Sequence, residues 1–268
     1  MRYTVMGASG FVGRRLVQAL RQDGAEVFEP VRNDPALFER DLGRVFYCVG
    51  MTADFARDPS ATIESHAGLL SRLIDRARLD RIIYLSSTRL YDNIDASVGD
   101  GSTMLRIDPA NPRSLYDLTK ALGENLCRSR LPDRSCVARL SGVFDWTIDA
   151  PGFLSQWFQR AAREKTFVLD SAAGSVRDYI HLDDTVRALR VLMDSELCGT
   201  VNVASGENVS NREIQAVFNA HGWSITCRTP GERQVLPVCN IDALLKLGCR
   251  PKLVRHAVAD WIKETQKS

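Results

Sequence analysis

The sequence has no cysteine pair and no histidine pair at the short spacings that form compact disulfide frameworks or bind metal. Its seven cysteines are spread along 268 residues, and no two form Cys-x-x-Cys. The four histidines show neither His-x-His nor His-x-x-x-His spacing, so each is expected at the surface or hydrogen-bonded. A disulfide framework and structural zinc are disfavoured, a protein-bound metal lacks support, and we expect reduced cysteines that pack in the interior.

The chain also lacks an excess of one charge and a long apolar run. Its 35 basic and 33 acidic residues give a formal net charge of +2, and this balance does not favour nucleic acid or an anionic membrane as a partner. No apolar stretch approaches membrane-spanning length, and Gly7 follows Met1 too soon for a signal peptide. We expect a soluble, cytoplasmic protein with no nucleic-acid or membrane partner.

What the chain does contain is a glycine-rich turn between an apolar run over residues 3–6 and a helical pattern. Glycines at these spacings let the backbone turn sharply and let the phosphates of a dinucleotide approach the N–H groups at the helix start. Close packing of a helix on a strand is the alternative explanation. The turn predicts a cofactor site formed by Gly7, Ala8, Ser9, Gly10, Phe11, Val12 and Gly13.

Strand and helix patterns alternate along most of the chain. Strands are predicted over residues 26–31, 44–49, 81–86, 135–140 and 200–203, with helices over 58–77, 114–128 and 182–193 between them. This alternation predicts an α/β fold, a Rossmann-type doubly wound parallel sheet with a small C-terminal substrate-binding lobe. We expect residues 1–145, with roughly 177–203, to bind NAD(P), and residues 146–176 and 204–268 to form a reduced substrate lobe.

The ends of the second and third predicted strands indicate further cofactor contacts. An acidic residue after the second strand would bind the ribose hydroxyls of the cofactor, whereas an arginine would pair with a 2′-phosphate. The residue here is Arg32, which favours NADP(H) over NAD(H); an exposed arginine at a strand end is the alternative. Cys48, Val49 and Gly50 follow the third strand and are expected at the same crevice.

Tyr116 and Lys120 lie four residues apart on a predicted helix and so project from one face. Bringing a tyrosine pKa from about 10 to 7 takes roughly 4 kcal/mol, which an ammonium and a cationic nicotinamide can supply. Tyr116 would exchange a proton with the substrate, Lys120 would hold the ribose, and Ser87 would hydrogen-bond the reacting oxygen. An ordinary half-exposed helix face is the alternative for Tyr-x-x-x-Lys.

These motifs resemble the extended short-chain dehydrogenase/reductase family, in its NAD-dependent epimerase/dehydratase branch. The matching segments are residues 7–13, 86–91, 116–120, 177–184, 201–206 and 247–251. The resemblance implies that Ser87, Tyr116 and Lys120 are catalytic and that the substrate is a nucleotide sugar. It also implies that Arg177 meets a substrate diphosphate, for which a salt bridge to Asp178 or Asp183 is the structural alternative. Residues implied at the substrate are Ser87, Thr88, Arg89, Gly142 and Arg177.

Departures from the family pattern limit the activity. Dehydratases resembling this chain place Asp-Glu directly after the catalytic threonine, whereas Thr88-Arg89 stands here, so a sugar dehydratase is disfavoured. Gly142 replaces a usual asparagine. Thr229 replaces an arginine that meets the substrate phosphate, a role that Arg228 or Arg233 could take. The short stretch between the second and third strands implies that a strand found there in relatives is lost or very short.

Together these features predict an NAD(P)-dependent epimerase or ketoreductase that acts at a carbonyl or hydroxyl carbon of a sugar. Two alternatives stay open: a reductase of a non-sugar carbonyl, and a protein that binds NADP(H) as a sensor or scaffold without chemistry. Retention of Tyr116 and Lys120 favours an enzyme. Leu118, Leu122 and Leu126 suit the contact face of a homodimer and suit the core equally well.

Overall fold

The computed structural model describes residues 1–51 and 54–265. A parallel sheet of six strands forms its centre, with three smaller sheets beside it. In chain order, the strands of the described residues are β1 (Arg2–Met6), β2 (Glu26–Phe28), β3 (Arg44–Tyr47), β4 (Arg81–Ser87), β5 (Val98–Gly99), β6 (Ser135–Leu140), β7 (Gly142–Phe144), β8 (Thr166–Ala172), β9 (Val176–His181), β10 (Gly199–Val203), β11 (Asn208–Ser210), β12 (Ser224–Thr229) and β13 (Val238–Cys239).

Helices connect most of these strands. Short 3₁₀ helices cover Pro35–Phe38 and Thr88–Tyr91, and a π-helical turn covers Glu64–Gly68. Within the described ranges, no helix combines the length and the apolar character needed to cross a membrane. The α-helices are α1 (Phe11–Gln22), α2 (Pro59–Ile63), α3 (Leu69–Arg76), α4 (Ser114–Arg130), α5 (Phe153–Ala161), α6 (Leu182–Asp194), α7 (Asn211–Asn219), α8 (Asp242–Lys246) and α9 (Val254–Thr265).

The central sheet has the strand order β2-β1-β3-β4-β6-β10, and all its neighbouring strands are parallel. The chain runs from β1 to β2 and then crosses to the other side of β1, so the winding direction reverses between β1 and β3. Ligands of such sheets bind beyond the carboxyl ends of the strands at this reversal. Gly7 and Cys48 follow these two strands. The predicted Rossmann-type sheet is confirmed.

Apolar side chains cover both faces of this sheet. Leu16 of α1 and Leu189 of α6 pack in one cluster, whereas Leu70 of α3 packs in a second cluster. Because successive side chains of a strand point to opposite faces, Phe46 of β3 joins the first cluster and Tyr47 joins the second. The sheet is therefore wound on both sides, as the strand–helix alternation predicted.

The edge strand of the sheet, β2, is shorter than predicted. β2 ends at Phe28 and not at residue 31; Pro30 follows, and a proline has no N–H for a strand ladder. The 3₁₀ helix Pro35–Phe38 occupies most of the short stretch before β3. Among the described residues no strand of the central sheet lies outside β2, in agreement with the strand expected to be lost.

The second half of the chain adds a separate aromatic cluster, which includes Trp157, Phe158, Phe218 and Trp261. Beside it, β7, β9 and β11 form a three-stranded sheet. The strands β7 and β9 were not predicted. Val176–His181, which forms β9, carries four charged or titratable side chains and lacks a clear apolar pattern. A reciprocal capping box between Ser210 and Glu213 begins α7.

Candidate active site

The glycine turn has the backbone geometry of a phosphate cradle. Gly7 has a φ of +75°, and a Cβ there would lie 3.0 Å from the Cys48 carbonyl. A Cβ on Gly13 would overlap the Gly7 carbonyl oxygen, so both positions require glycine. Helix α1 begins directly after Gly10, and no side chain caps it. The N–H groups of its first turn are therefore open to an anion, which fits the pyrophosphate of a dinucleotide.

A cavity of about 500 Å³ opens beside this turn. It is enclosed by the carboxyl ends of the central strands, by α4 and by segments of the second half of the chain. Twelve of the predicted site residues line it: Gly10, Phe11, Val12, Cys48, Gly50, Ser87, Thr88, Arg89, Tyr116, Lys120, Gly142 and Arg177. The fold thus gathers segments that are more than a hundred residues apart in the chain.

The other predicted cofactor residues lie outside this wall. Gly7 and Gly13 shape the turn itself, because the backbone of Cys48 lies against Gly7 and the Gly7 carbonyl lies against Gly13. Ala8 borders a shallow groove beyond the turn together with Glu29. Ser9, Val49 and Arg32 are not among the residues that line the cavity.

Tyr116 projects from α4 toward the end of β4. Its side chain is buried, and this burial raises the pKa of the phenol. The Ser87 hydroxyl and the Arg89 guanidinium act in the opposite direction and lower that pKa. The predicted serine and tyrosine are thus neighbours in the structure, although they come from a strand end and a helix.

Lys120 lies one helical turn after Tyr116 and is also buried. Its Nζ donates a hydrogen bond to the Leu85 carbonyl at 2.8 Å. Burial lowers the pKa of the ammonium to about 8. A Cβ on Gly50 would lie only 3.2 Å from the Lys120 Nζ, so the glycine after β3 leaves the space beside the lysine open.

His66 is a site residue that the sequence analysis did not assign. It lies in the π-helical turn, is fully buried, and its ring stands perpendicular to the Tyr116 ring at 5.4 Å between centroids. Its Nδ1 is 2.8 Å from the Thr119 hydroxyl and its Nε2 is 3.1 Å from the Met51 backbone nitrogen. Burial, and then the charge of Lys120, lower the pKa of the imidazole to about 3, so His66 is neutral. Its place on the apolar face of the predicted helix was the only available signal.

Arg177 has a different partner from the two expected alternatives. Its Nη2 lies 3.8 Å from an Asp92 carboxylate oxygen, and its Nη1 donates to the Val176 carbonyl at 3.0 Å. Asp178 instead accepts hydrogen bonds from Ser205 and Gly206. Asp183 pairs with an arginine of α1. A salt bridge from Arg177 to Asp178 or Asp183 is therefore wrong, and Arg177 remains at the cavity.

The two arginines that could replace the missing phosphate contact lie elsewhere. The Arg228 Nε is 3.4 Å from Asp170, and the Arg233 Nε is 3.4 Å from Glu213. Neither arginine lines the cavity.

The glycine at position 142 has a direct structural reason, because a Cβ there would lie 2.8 Å from the Tyr179 ring. The ring therefore occupies the space in which a larger side chain would begin.

Several cavity residues were missed because only the tertiary fold brings them to the site. Apart from Tyr179, which lies in the matching segment 177–184, they carry no motif; they come from the loop after β4, the β6–β7 region and the second half of the chain. The main ones are Asp92, Val143, Pro151, Phe153, Leu154, Tyr179, Asn208, Leu236 and Pro237.

Known proteins resemble the chain over large parts of its length. Low-salt glycan biosynthesis protein Agl12 of Haloferax volcanii is 29% identical over 172 residues, which are 62% of this chain and 53% of that protein. The chain thus spans about half the length of this relative. The structure of MoeE5 in complex with UDP-glucose and NAD has a TM-score of 0.78 at 21% identity, and it covers 100% of this chain and 99% of the other.

A second solved structure gives a similar result. UDP-glucose 4-epimerase of Thermotoga maritima, with UDP-glucose, has a TM-score of 0.77 at 17% identity and covers 100% of this chain and 99% of the other. At such identities the likeness shows a shared fold. The sequence profile of the NAD dependent epimerase/dehydratase family matches residues 3–204, which include the glycine turn, Ser87, Tyr116, Lys120 and Arg177. The chain therefore belongs to the NAD dependent epimerase/dehydratase family.

Proposed function

We propose that the protein is an NAD(P)-dependent epimerase or ketoreductase that acts at a hydroxyl or carbonyl carbon of a sugar, with a nucleotide sugar as substrate. One observation carries this proposal: Ser87, Tyr116 and Lys120 line the same cavity, beside the glycine turn. A hydrogen-bonding group, a proton-exchanging group and a cation thus surround one space next to a phosphate cradle. A bound nicotinamide supplies hydride transfer at the sugar carbon.

Tyr116 is the proposed acid and base. When the substrate hydroxyl is oxidised, the phenolate takes its proton; when the carbonyl is reduced, the phenol returns a proton to the oxygen. Ser87 hydrogen-bonds the same oxygen and holds it in place. Lys120 binds the cofactor ribose, and its positive charge favours the phenolate. The contact that supports these roles is the closeness of Ser87 to the buried Tyr116 phenol.

The substrate would lie toward the second half of the chain. Arg177 lines the cavity, and its loose pairing with Asp92 leaves the planar guanidinium able to bind two phosphate oxygens. Phe153 and Leu236, from the second half of the chain, also line the cavity. We therefore retain residues 146–176 and 204–268 as the proposed substrate lobe, and residues 1–145 with 177–203 as the proposed cofactor domain.

We propose NADP(H) as the preferred cofactor on the basis of Arg32. Its side chain is exposed, and among the described residues no carboxylate lies at ion-pair distance from it. Glu29, which follows β2 directly, is paired with Arg21 instead. A charge-assisted contact with a 2′-phosphate is worth about 1.5–3 kcal/mol. Arg32→Ala should therefore weaken NADPH binding at least about tenfold and leave NADH binding unchanged. Equal effects on both cofactors would contradict the preference.

The proposed activity can be tested with the purified protein, NADP⁺, NADPH, NAD⁺, NADH and a panel of UDP- and dTDP-sugars, including 4-keto sugars. We expect epimerisation or reduction of one of these sugars. Chromatography detects the product, and the absorbance of the cofactor reports its oxidation or reduction. Tyr116→Phe should lose about 10²–10⁴-fold in kcat, the usual contribution of a positioned proton donor. No turnover with any sugar, or full activity of Tyr116→Phe, would refute the proposal.

The apolar part of the cavity wall favours a second candidate, the reduction of a non-sugar carbonyl. Phe153, Leu154, Leu236 and Pro237 all lie there, and the usual phosphate-binding arginine is replaced by Thr229. Competition separates the two candidates. If the substrate is a nucleotide sugar, UDP or dTDP displaces it; if the substrate is a hydrophobic ketone, neither nucleotide competes and turnover persists.

We further propose that two copies of the chain meet through the outer side of α4. Leu118 and Leu122 are 42% and 47% exposed, whereas Leu126 packs against the core of the chain. The first two thus suit a contact face, and the third does not. Light scattering after size exclusion should give a dimer for the wild type and a monomer for Leu118→Asp. A monomeric wild type would contradict this arrangement.

A further inference from the structure

The side chain of Arg89 lies against the face of the Tyr116 ring. Its guanidinium carbon is 4.5 Å from the centroid of that ring and 5.6 Å from the centroid of the Phe55 ring. The two rings meet edge to face at 5.6 Å. We propose that Arg89 is a positioning residue of the reaction: it holds a permanent positive charge on the Tyr116 ring and so favours the phenolate form of that side chain. This inference rests on the proposed acid–base role of Tyr116.

The Arg89 guanidinium forms no ion pair within the described part of the chain, and no carboxylate or carbonyl there accepts a hydrogen bond from it. Its charge also acts on the carboxyls of Asp92 and Asp117, where it opposes the rise in pKa that burial causes. Its backbone N–H donates to the Ser87 hydroxyl oxygen at 3.2 Å, so the residue is anchored to the end of β4. The Phe55 ring provides a second aromatic contact. Arg89 is thus tied at its backbone and stacked at its side chain.

A guanidinium is suited to this role because it stays protonated throughout the pH range in which enzymes work. A cation over an aromatic face is attracted by the electron density of the ring. Ionisation of the phenol increases that density, so the contact stabilises the phenolate more than the phenol. The presence of Arg89 therefore lowers the pKa of Tyr116, in the direction opposite to burial.

Lys120 alone does not supply the same effect. Its Nζ is 6.0 Å from the centroid of the Tyr116 ring, farther than the Arg89 guanidinium, and it donates to the Leu85 carbonyl. Because burial lowers the pKa of Lys120 to about 8, part of its charge is lost in weakly alkaline solution. Arg89 keeps its charge there. Arg89 therefore acts on the ring up to a higher pH than Lys120 does.

The other groups around Tyr116 do not replace Arg89. Asp117, the next residue on α4, raises the pKa of the phenol when ionised, and one of its carboxylate oxygens has no hydrogen-bond partner among the described residues. His66 is neutral at working pH. The groups that face the phenol from the surrounding elements are Ser87, Arg89, Asp117, Lys120, His66 and Tyr84.

The proposal is tested by titrating Tyr116 directly in protein saturated with NADP⁺. Protein labelled with ¹³C at the tyrosine Cζ reports the ionisation of each phenol by NMR, and Tyr116→Phe assigns the signal. We expect Arg89→Gln to move the Tyr116 midpoint upward by about one pH unit, the size of a partly desolvated cation–π contact. Arg89→Lys keeps the charge without the planar stack, so its shift should be smaller. If Arg89→Gln does not fold, the Arg89→Lys shift provides the test.

The matched control is Arg113→Gln, which removes an exposed arginine near Asp117 that does not touch the Tyr116 ring. It should leave the Tyr116 midpoint unchanged. With a substrate in hand, the alkaline limb of the kcat/KM profile should shift in Arg89→Gln by the same amount as the NMR midpoint. An unmoved midpoint in Arg89→Gln, or a rise in KM alone, overturns the proposal and leaves Arg89 as a substrate contact. The NMR titration needs no turnover, so its result is separate from any failure of the proposed function.

Discussion

The Lys120 ammonium donates a hydrogen bond to the backbone carbonyl of Leu85 at 2.8 Å. Leu85 lies on β4 just before Ser87, and Lys120 lies one helical turn after Tyr116 on α4. This single bond therefore connects the strand that ends at the proposed catalytic serine with the helix that carries the proposed acid–base residue. It also keeps the lysine inside the protein, where its charge is costly.

We expect Lys120→Met to stabilise the fold at neutral pH. Burial lowers the pKa of Lys120 from 10.5 to about 8, so below pH 8 the folded chain carries a charge that its interior disfavours. After the loss of one hydrogen bond, the net gain on substitution should be about 2 kcal/mol. The gain should shrink as the pH rises from 8 to 10.5, where both states lose the proton.

Urea unfolding of the wild type and Lys120→Met at pH 7 and pH 10 measures this difference. Lys246→Met is the control, since Lys246 is on the short helix α8 and away from the cavity. A variant less stable than the wild type at both pH values would show that burial of the charge is not a cost.

His66 should make the protein sensitive to mild acid. The pKa of the buried imidazole is lowered from 6.5 to about 3. As the pH falls from 6.5 toward 3, the unfolded chain therefore binds a proton that the folded chain does not bind, and stability decreases. This one group should cost roughly 2–3 kcal/mol by pH 4.5. His66→Gln, which does not titrate, should be less stable at pH 7 and show a flatter acid dependence.

Thermal or urea unfolding between pH 7 and pH 4.5 gives both curves. His256→Gln serves as the control because His256 is exposed. Parallel curves for the wild type and His66→Gln would mean that protonation of His66 does not limit acid stability.

Gly13→Ala should damage the glycine turn. The added methyl group would overlap the Gly7 carbonyl oxygen, and since backbone cannot move aside as a side chain can, α1 would shift from β1. We expect a loss of about 1–3 kcal/mol in unfolding free energy, typical of overpacking, and a marked loss of dinucleotide binding by calorimetry. Gly231→Ala is the control, because the Gly174 backbone nitrogen, the nearest atom apart from residues 230 and 232, lies 3.9 Å from the new Cβ. Unchanged binding in Gly13→Ala would contradict the cradle.

The buried ion pair of Arg139 and Glu124 should show strong coupling. Arg139 donates to both Glu124 carboxylate oxygens, at 2.8 and 2.6 Å, and both side chains are almost fully buried. Glu124 also accepts from the Ser86 hydroxyl at 2.5 Å. Arg139→Met should cost about 3–5 kcal/mol because a buried carboxylate loses its partner. The double variant Arg139→Met/Glu124→Leu should recover much of this loss in urea unfolding. Simple additivity of the two changes would exclude the coupling.

Much of the fold and of the candidate site was predictable from patterns among neighbouring residues. The glycine turn is recognisable because a strand, a tight turn and a helix follow within a short stretch, and each has its own local signal. Tyr116 and Lys120 share a face because four residues make about one turn of any helix. Strand β9, by contrast, was missed because its sequence lacks such a local signal. Its carboxylate Asp178 is buried because Ser205 and Gly206, elsewhere in the chain, donate hydrogen bonds to it, and no local pattern indicates such partners.

The amino-acid sequence by itself determined the doubly wound sheet, the glycine cradle and the Tyr116–Lys120 pair, because period, spacing and backbone freedom are properties of neighbouring residues. Only the tertiary structure decided that His66 packs on Tyr116, that Arg177 faces Asp92, and that Arg89 stacks on the Tyr116 ring. These are contacts between residues distant along the chain. Their distances, burial and charges follow from how the strands and helices pack, and that packing sets the protonation of the groups in the cavity.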